Sequence, residues 1–128
     1  MSLAVDVFQV GPGGAAQVLD VPPGCSDLAG FERWRTTVWG SDAARSLGAR
    51  FLPVLAEGDL YVWPGQVGEF LDECALLRAG LDALVPGLAG ADPGRAPAEH
   101  RRRISARLAN IEAAARRALR EDGGVLVW

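Results

Sequence analysis

The side chains whose types and spacing could do chemistry in this chain are carboxylates. Glu69, Asp72 and Glu73 fall close together, Asp82 follows, and Glu57 and Asp59 stand just before them. At helical spacing the first three share one side of a helix. Two such groups could serve as acid and base in glycoside hydrolysis, provided a cleft holds them. So near a helix start, acids more simply complement the positive end of the helix dipole. The same set also offers a negative surface to a basic partner.

Little else is equipped for catalysis. His100 is the one histidine. It lies beside Arg101, Arg102 and Arg103, whose positive field would oppose its protonation, and is expected to be an exposed surface residue. No lysine is present, since all 13 basic residues are arginine. That excludes Schiff-base and P-loop lysines. Cys25 and Cys74 have neither metal-ligand nor redox spacing and are expected to be free thiols. Gly11-Pro12-Gly13-Gly14 precedes no helix N-terminus with a GK[ST] or GxGxxG pattern, so it reads as a turn and not a phosphate cradle. No metal or cofactor is expected.

Charge is unevenly spread. Residues 1–94 hold five arginines and twelve acids, a net −7, and residues 95–128 hold eight arginines and four acids, a net +4. The sum, −3, opposes approach to nucleic acid, and base-reading motifs are missing. The first residues alternate like a strand and have no basic leader, and no apolar run approaches ~20 residues, so no membrane span is expected. A cytoplasmic protein is the expectation.

These carboxylates must be positioned by elements, and the central one is Gln66 to Leu88. Val67, Phe70, Leu71, Cys74, Leu77, Leu81, Leu84 and Val85 recur at three- and four-residue steps, the stripe of an amphipathic helix. Leu76 points away from that stripe, among Glu69, Asp72, Ala79, Gly80 and Ala83. Either the C-terminal helix or an outside partner should cover it. Before this helix the chain reads as a hairpin, Leu3–Val10 and Ala16–Val21. On the first strand Leu3, Val5 and Val7 take one parity and Phe8 and Val10 the other, which implies that both faces are partly covered. A helix from Ser26 or Asp27 to Trp39 follows, with Leu28, Phe31, Trp34 or Arg35, and Val38 buried. Then come a short helix capped by Ser41, a strand Arg50–Leu55 weakened by Pro53, and a strand Leu60–Trp63. After the central helix, residues 86–97 read as a flexible Gly/Pro connector. Ala98–Glu121 is a helix with Ile104, Leu108, Ile111, Ala115, Ala118 and Leu119 on one stripe and arginines around the rest. Val125–Trp128 should add a last strand.

Strands in pairs, then helices, then a strand define an α+β domain spanning 1–128. It has about five mostly antiparallel strands, with three main helices packed on one face (ββα(α)ββααβ). The functional expectation is a small non-catalytic protein-binding module. One version is an immunity- or antitoxin-type inhibitor that blocks a basic partner, such as a toxin, through an acidic surface. The expected contact residues are Glu57, Asp59, Glu69, Asp72, Glu73 and Leu76, with Trp39 or Trp63 as the aromatic anchor. Two alternatives stand beside it: a homo-oligomeric structural domain pairing by the C-terminal helix or by an edge strand at Val125–Trp128, and a small carboxylate-dependent hydrolase.

Overall fold

In the computed structural model, which describes residues 1–128, strand β1 (Ser2–Val10) is the axis of the sheet. Its alternation places Leu3, Val5 and Val7 in the main core and turns Ala4, Asp6, Phe8 and Val10 to the opposite side. The glycine-rich turn closes through Gly11 N–H to the Ala15 carbonyl (2.8 Å) and Gly14 N–H to the Gly11 carbonyl (2.9 Å). It returns the chain as β2 (Ala16–Val18), which pairs antiparallel with the second half of β1. This strand is shorter than expected.

The helix expected from residue 26 or 27 to Trp39 is instead a strand, β3 (Leu28–Phe31), followed by one turn of helix, α1 (Trp34–Thr37). The first half of β1 decides this. Its backbone groups need a ladder partner, and β3 supplies it, with Leu3 opposite Gly30. Gly30 sits at φ +121°, outside any helix, and the Trp34 ring occupies the place a side chain there would take. Leu28 is consequently exposed, while Trp34 and Val38 are buried as expected. Helix α2 (Asp42–Ser46) is capped by the Ser41 hydroxyl, which accepts from Ala44 N–H at 3.2 Å.

The strand expected at Arg50–Leu55 is a 3-10 turn, Leu52–Ala56. Pro53 suits the first turn of a helix and cannot serve a ladder. Because one expected helix supplies a strand and one expected strand supplies a helical turn, the total of five strands stands. β4 (Leu60–Val62) pairs with β5 (Gly124–Val127), and β5 pairs with β1. The result is an antiparallel order β2-β1-β5-β4 with β3 beside the first half of β1. The C-terminal strand is therefore interior, not an edge, and oligomer pairing along its backbone is closed off.

The central helix is two helices. α3 (Val67–Ala79) ends at Gly80, a 3-10 turn spans Leu81–Leu84, and α4 (Val85–Ala91) continues at an angle of 80°. The Leu47 side chain fills the space a Cβ on Gly80 would need. Pro86 sits in the first turn of α4, where a missing N–H costs nothing. The stretch expected as a flexible connector is thus half helical, with Leu88 in the core, and only Asp92–Ala96 links α4 to α5 (Pro97–Arg120). Helix α5 lies against β1, β3 and β5, while α3 and α4 pack on α5. One core of 29 residues joins the inner sheet face to these helices; Phe8 and Leu126, though buried, are not part of it.

Candidate functional site

Those two residues mark the other face of the sheet, which no helix covers. Ladder register assembles it row by row. Asp6 lies opposite Leu126, which lies opposite Tyr61; Phe8 lies opposite Gly124 on one side and Val18 on the other. Residues facing each other across a ladder project to the same side, so Asp6, Phe8, Val10, Val18, Tyr61 and Leu126 share this face. Trp63 and Trp128 continue the Tyr61 and Leu126 parities. Tyr61 and Trp63 are stacked, with ring centroids 5.7 Å apart and planes at 15°. The Phe8 ring meets both edge-on, at 5.9 and 5.3 Å. Gly124 makes this possible, since a Cβ there would run into the Phe8 ring and the Val62 carbonyl oxygen. The indole N–H of Trp128 donates to Asp6 Oδ2 at 2.8 Å. Phe8 and Leu126 are covered, but Trp63 stays 43% and Trp128 47% exposed, and Tyr61, Val10, Val18 and Leu28 are exposed to a similar degree. An exposed cluster this apolar is characteristic of an interaction surface.

The carboxylates single out less. Glu73 is 5% exposed and faces inward. Its Oε1 accepts from the Arg50 and Phe51 N–H groups (2.8 Å for Phe51) and its Oε2 from Leu52 N–H (2.9 Å). It is therefore a cap for the 3-10 turn and cannot contact a partner. The three donors left free at the start of that turn are satisfied by one carboxylate. Asp59 accepts from Arg35 at 3.0 Å, and the same guanidinium bonds Glu32 and the Gly58 carbonyl. The Glu32 hydrogen bond, ahead of the Asp59 one, raises the Arg35 pKa further above its ordinary value. Glu57, Glu69 and Asp72 are exposed and take part in no ion pair. None of Glu57, Asp59, Glu69 or Asp72 lines a cleft. The larger cleft, about 290 Å³, is formed by Asp82, Val85, Pro97, Ala98 and Arg101.

Trp39, expected as a possible anchor, is wholly buried and donates its indole N–H to the Ala29 carbonyl at 2.9 Å. Leu76 is 49% exposed, and what approaches it within the chain is not α5 but Gly48 at the end of α2. α5 packs on the apolar side of α3 instead, and ion pairs flank that contact. Arg78 of α3 reaches Glu112 of α5 at 2.7 Å and also bonds Ser105. The Glu112 hydrogen bond raises the Arg78 pKa. Arg101 pairs with Asp82 at 2.7 Å, while Arg103 and Arg107 lie over the Phe31 ring.

His100, expected at the surface, is fully buried. Its position repeats at Ile104 and Leu108, so it belongs to the inward stripe and only its arginine neighbours reach solvent. Nε2 donates to the Asp92 carbonyl at 2.9 Å, and the buried Nδ1 has no partner. Cys74 is buried and Cys25 exposed, both free. Nowhere do three or more His, Cys, Asp or Glu side chains gather closely enough to hold a metal ion. No helix is long and apolar enough to cross a membrane.

Of the expected contact residues, then, Trp63 lies on the open face, Glu57 and Asp59 form the turn leading into β4, Glu69, Asp72 and Leu76 lie on α3, and Glu73 and Trp39 are internal. Tyr61, Phe8, Leu126, Trp128 and Asp6 went unanticipated as site residues. Their signal was present in strands apolar on both parities: Phe8 and Val10 on β1, Tyr61 on β4 with Trp63 just after it, and the unbroken run Val125–Trp128. Comparison with known protein families, characterised proteins and solved structures gives no significant match.

Proposed function

We propose that this chain is a non-catalytic protein-binding module that recognises its partner on the open face of the sheet. The observation that carries this is the exposed layer of Tyr61, Trp63 and Trp128 over the covered Phe8 and Leu126. Aromatic side chains give much contact area for few rotatable bonds, and tryptophan and tyrosine dominate binding energies at interfaces. In an inhibitory form, of the immunity or antitoxin type, the partner is basic. The exposed carboxylates Glu57, Glu69 and Asp72 then speed encounter without forming the contact itself.

Capture from an extract of the native host, followed by mass spectrometry, tests this with three baits: the unaltered chain, Trp63→Arg and Asp72→Arg. The partner should be kept by Asp72→Arg and lost by Trp63→Arg, with circular dichroism showing both variants folded. Loss with Asp72→Arg alone would move the site to α3. Turnover of a substrate by the purified chain, abolished by replacing one carboxylate, would replace the binding reading with the hydrolase.

A further inference from the structure

The open face has one charged side chain at its centre, and it lacks a counterion. Asp6 sits on β1 between neighbours Ala4 and Phe8, and only the Trp128 indole donates to its carboxylate, on Oδ2. No arginine of the chain pairs with it. A carboxylate accepts about four hydrogen bonds, so most of its capacity is open. Across the ladder Leu126 separates Asp6 from Tyr61, which places an anion and aromatic faces around one apolar floor. Aromatic faces are the negative end of the ring quadrupole and attract cations. A planar guanidinium can stack on such a ring while forking onto a carboxylate, which an ammonium does less well.

We propose that the open face takes an arginine side chain, carried on an apolar segment of the partner, with its guanidinium on Asp6 and flanked by Trp128 and Tyr61. This rests on the protein-binding reading and names the chemistry that reading requires of the partner. A second copy of this chain fits less well. A two-fold pairing centred on β1 would bring two Asp6 carboxylates together as solvent leaves, and like charges so placed repel.

The test uses an acetylated, amidated pentapeptide with arginine between two leucines, and its isosteric citrulline analogue, added to the ¹⁵N-labelled full chain. Indole N–H signals report directly, because Trp63 and Trp128 lie on the face while Trp34 and Trp39 are buried. The arginine peptide should shift the Trp63 and Trp128 signals and bind about ten-fold more tightly than the citrulline peptide. Asp6→Asn, which still offers the Trp128 indole an oxygen, should erase that difference and leave the Trp34 and Trp39 signals in place. Equal binding of both peptides would overturn the arginine assignment while leaving the face a protein-binding surface. Shifts from neither peptide would overturn it too, and retention of every captured partner by Trp63→Arg would then remove the binding reading as well. Doubling of the particle mass in sedimentation, with the same two indoles shifting on dilution, would give the face to a second copy instead.

Discussion

Adjacent side chains in this protein can have opposite fates, and Asp72 and Glu73 show it best. Glu73 accepts from three backbone N–H groups, whereas Asp72 is exposed and bonds nothing. Glu73→Ala strands those donors and should cost about 2–4 kcal/mol in urea unfolding; Asp72→Ala should stay within about 0.5 kcal/mol. A larger effect at Asp72 than at Glu73 would reverse the assignment of the two acids. Cys74 gives a second residue-scale expectation. Burial first, then the nearby Glu112 and Glu73 charges, pushes its thiol from 9.0 up to about 12. Below pH 9.0 both folded and unfolded forms keep the proton, so stability is unaffected there. Above it the unfolded chain loses a proton that the folded chain keeps. Stability therefore falls by about 1.4 kcal/mol per pH unit until the folded thiol ionises. Cys74→Ala should flatten that slope in unfolding curves taken on either side of pH 9.0, and a slope unchanged by the substitution would refute the shift.

Among the elements, β5 and α3 carry glycines with opposite meanings. Gly124 has the Phe8 ring and the Val62 carbonyl against it, so Gly124→Ala must push β1 and β4 apart. It should cost about 3 kcal/mol or more and loosen the aromatic layer, seen as a loss of near-ultraviolet circular dichroism. Gly68, in the first turn of α3, has open space where its Cβ would be. Gly68→Ala should instead stabilise by about 0.5–1 kcal/mol through helix propensity and a stiffer unfolded chain. The two together ask whether the sheet's open face is set by β5 packing, since only the first change touches it. The bend between α3 and α4 has an equally local origin, in Gly80 against Leu47 and Pro86 at a helix start. It turns what reads as one long helix into two shorter ones around α5.

For the molecule as a whole, β5 is the piece that ties β4 to the rest of the sheet. It joins β4 to β1 and contributes the buried Val125, Leu126 and Val127. Each such side chain contributes about 1.5–3 kcal/mol, and a domain's net stability is only about 5–15 kcal/mol. A chain ended at Gly123 should therefore lose cooperative unfolding and bind the dye ANS, and a sharp thermal transition in that variant would contradict the topology. Period and punctuation settled a good deal from the sequence alone: the α+β class, α5 with its inward Ile104, Leu108 and Ile111, the apolar stripe of α3, and the strands at both ends of the chain. These are local properties, written in side chains three, four or two positions apart. The tertiary structure decided that residues 28–31 are a strand, because a ladder vacancy on β1 lies far away in the chain. It decided that Glu73 turns inward and that Tyr61, Trp63 and Trp128 have no helix over them. An apolar parity shows that a face can be covered; what covers it depends on where the helices lie once the first face is filled, and no short stretch of sequence holds that information.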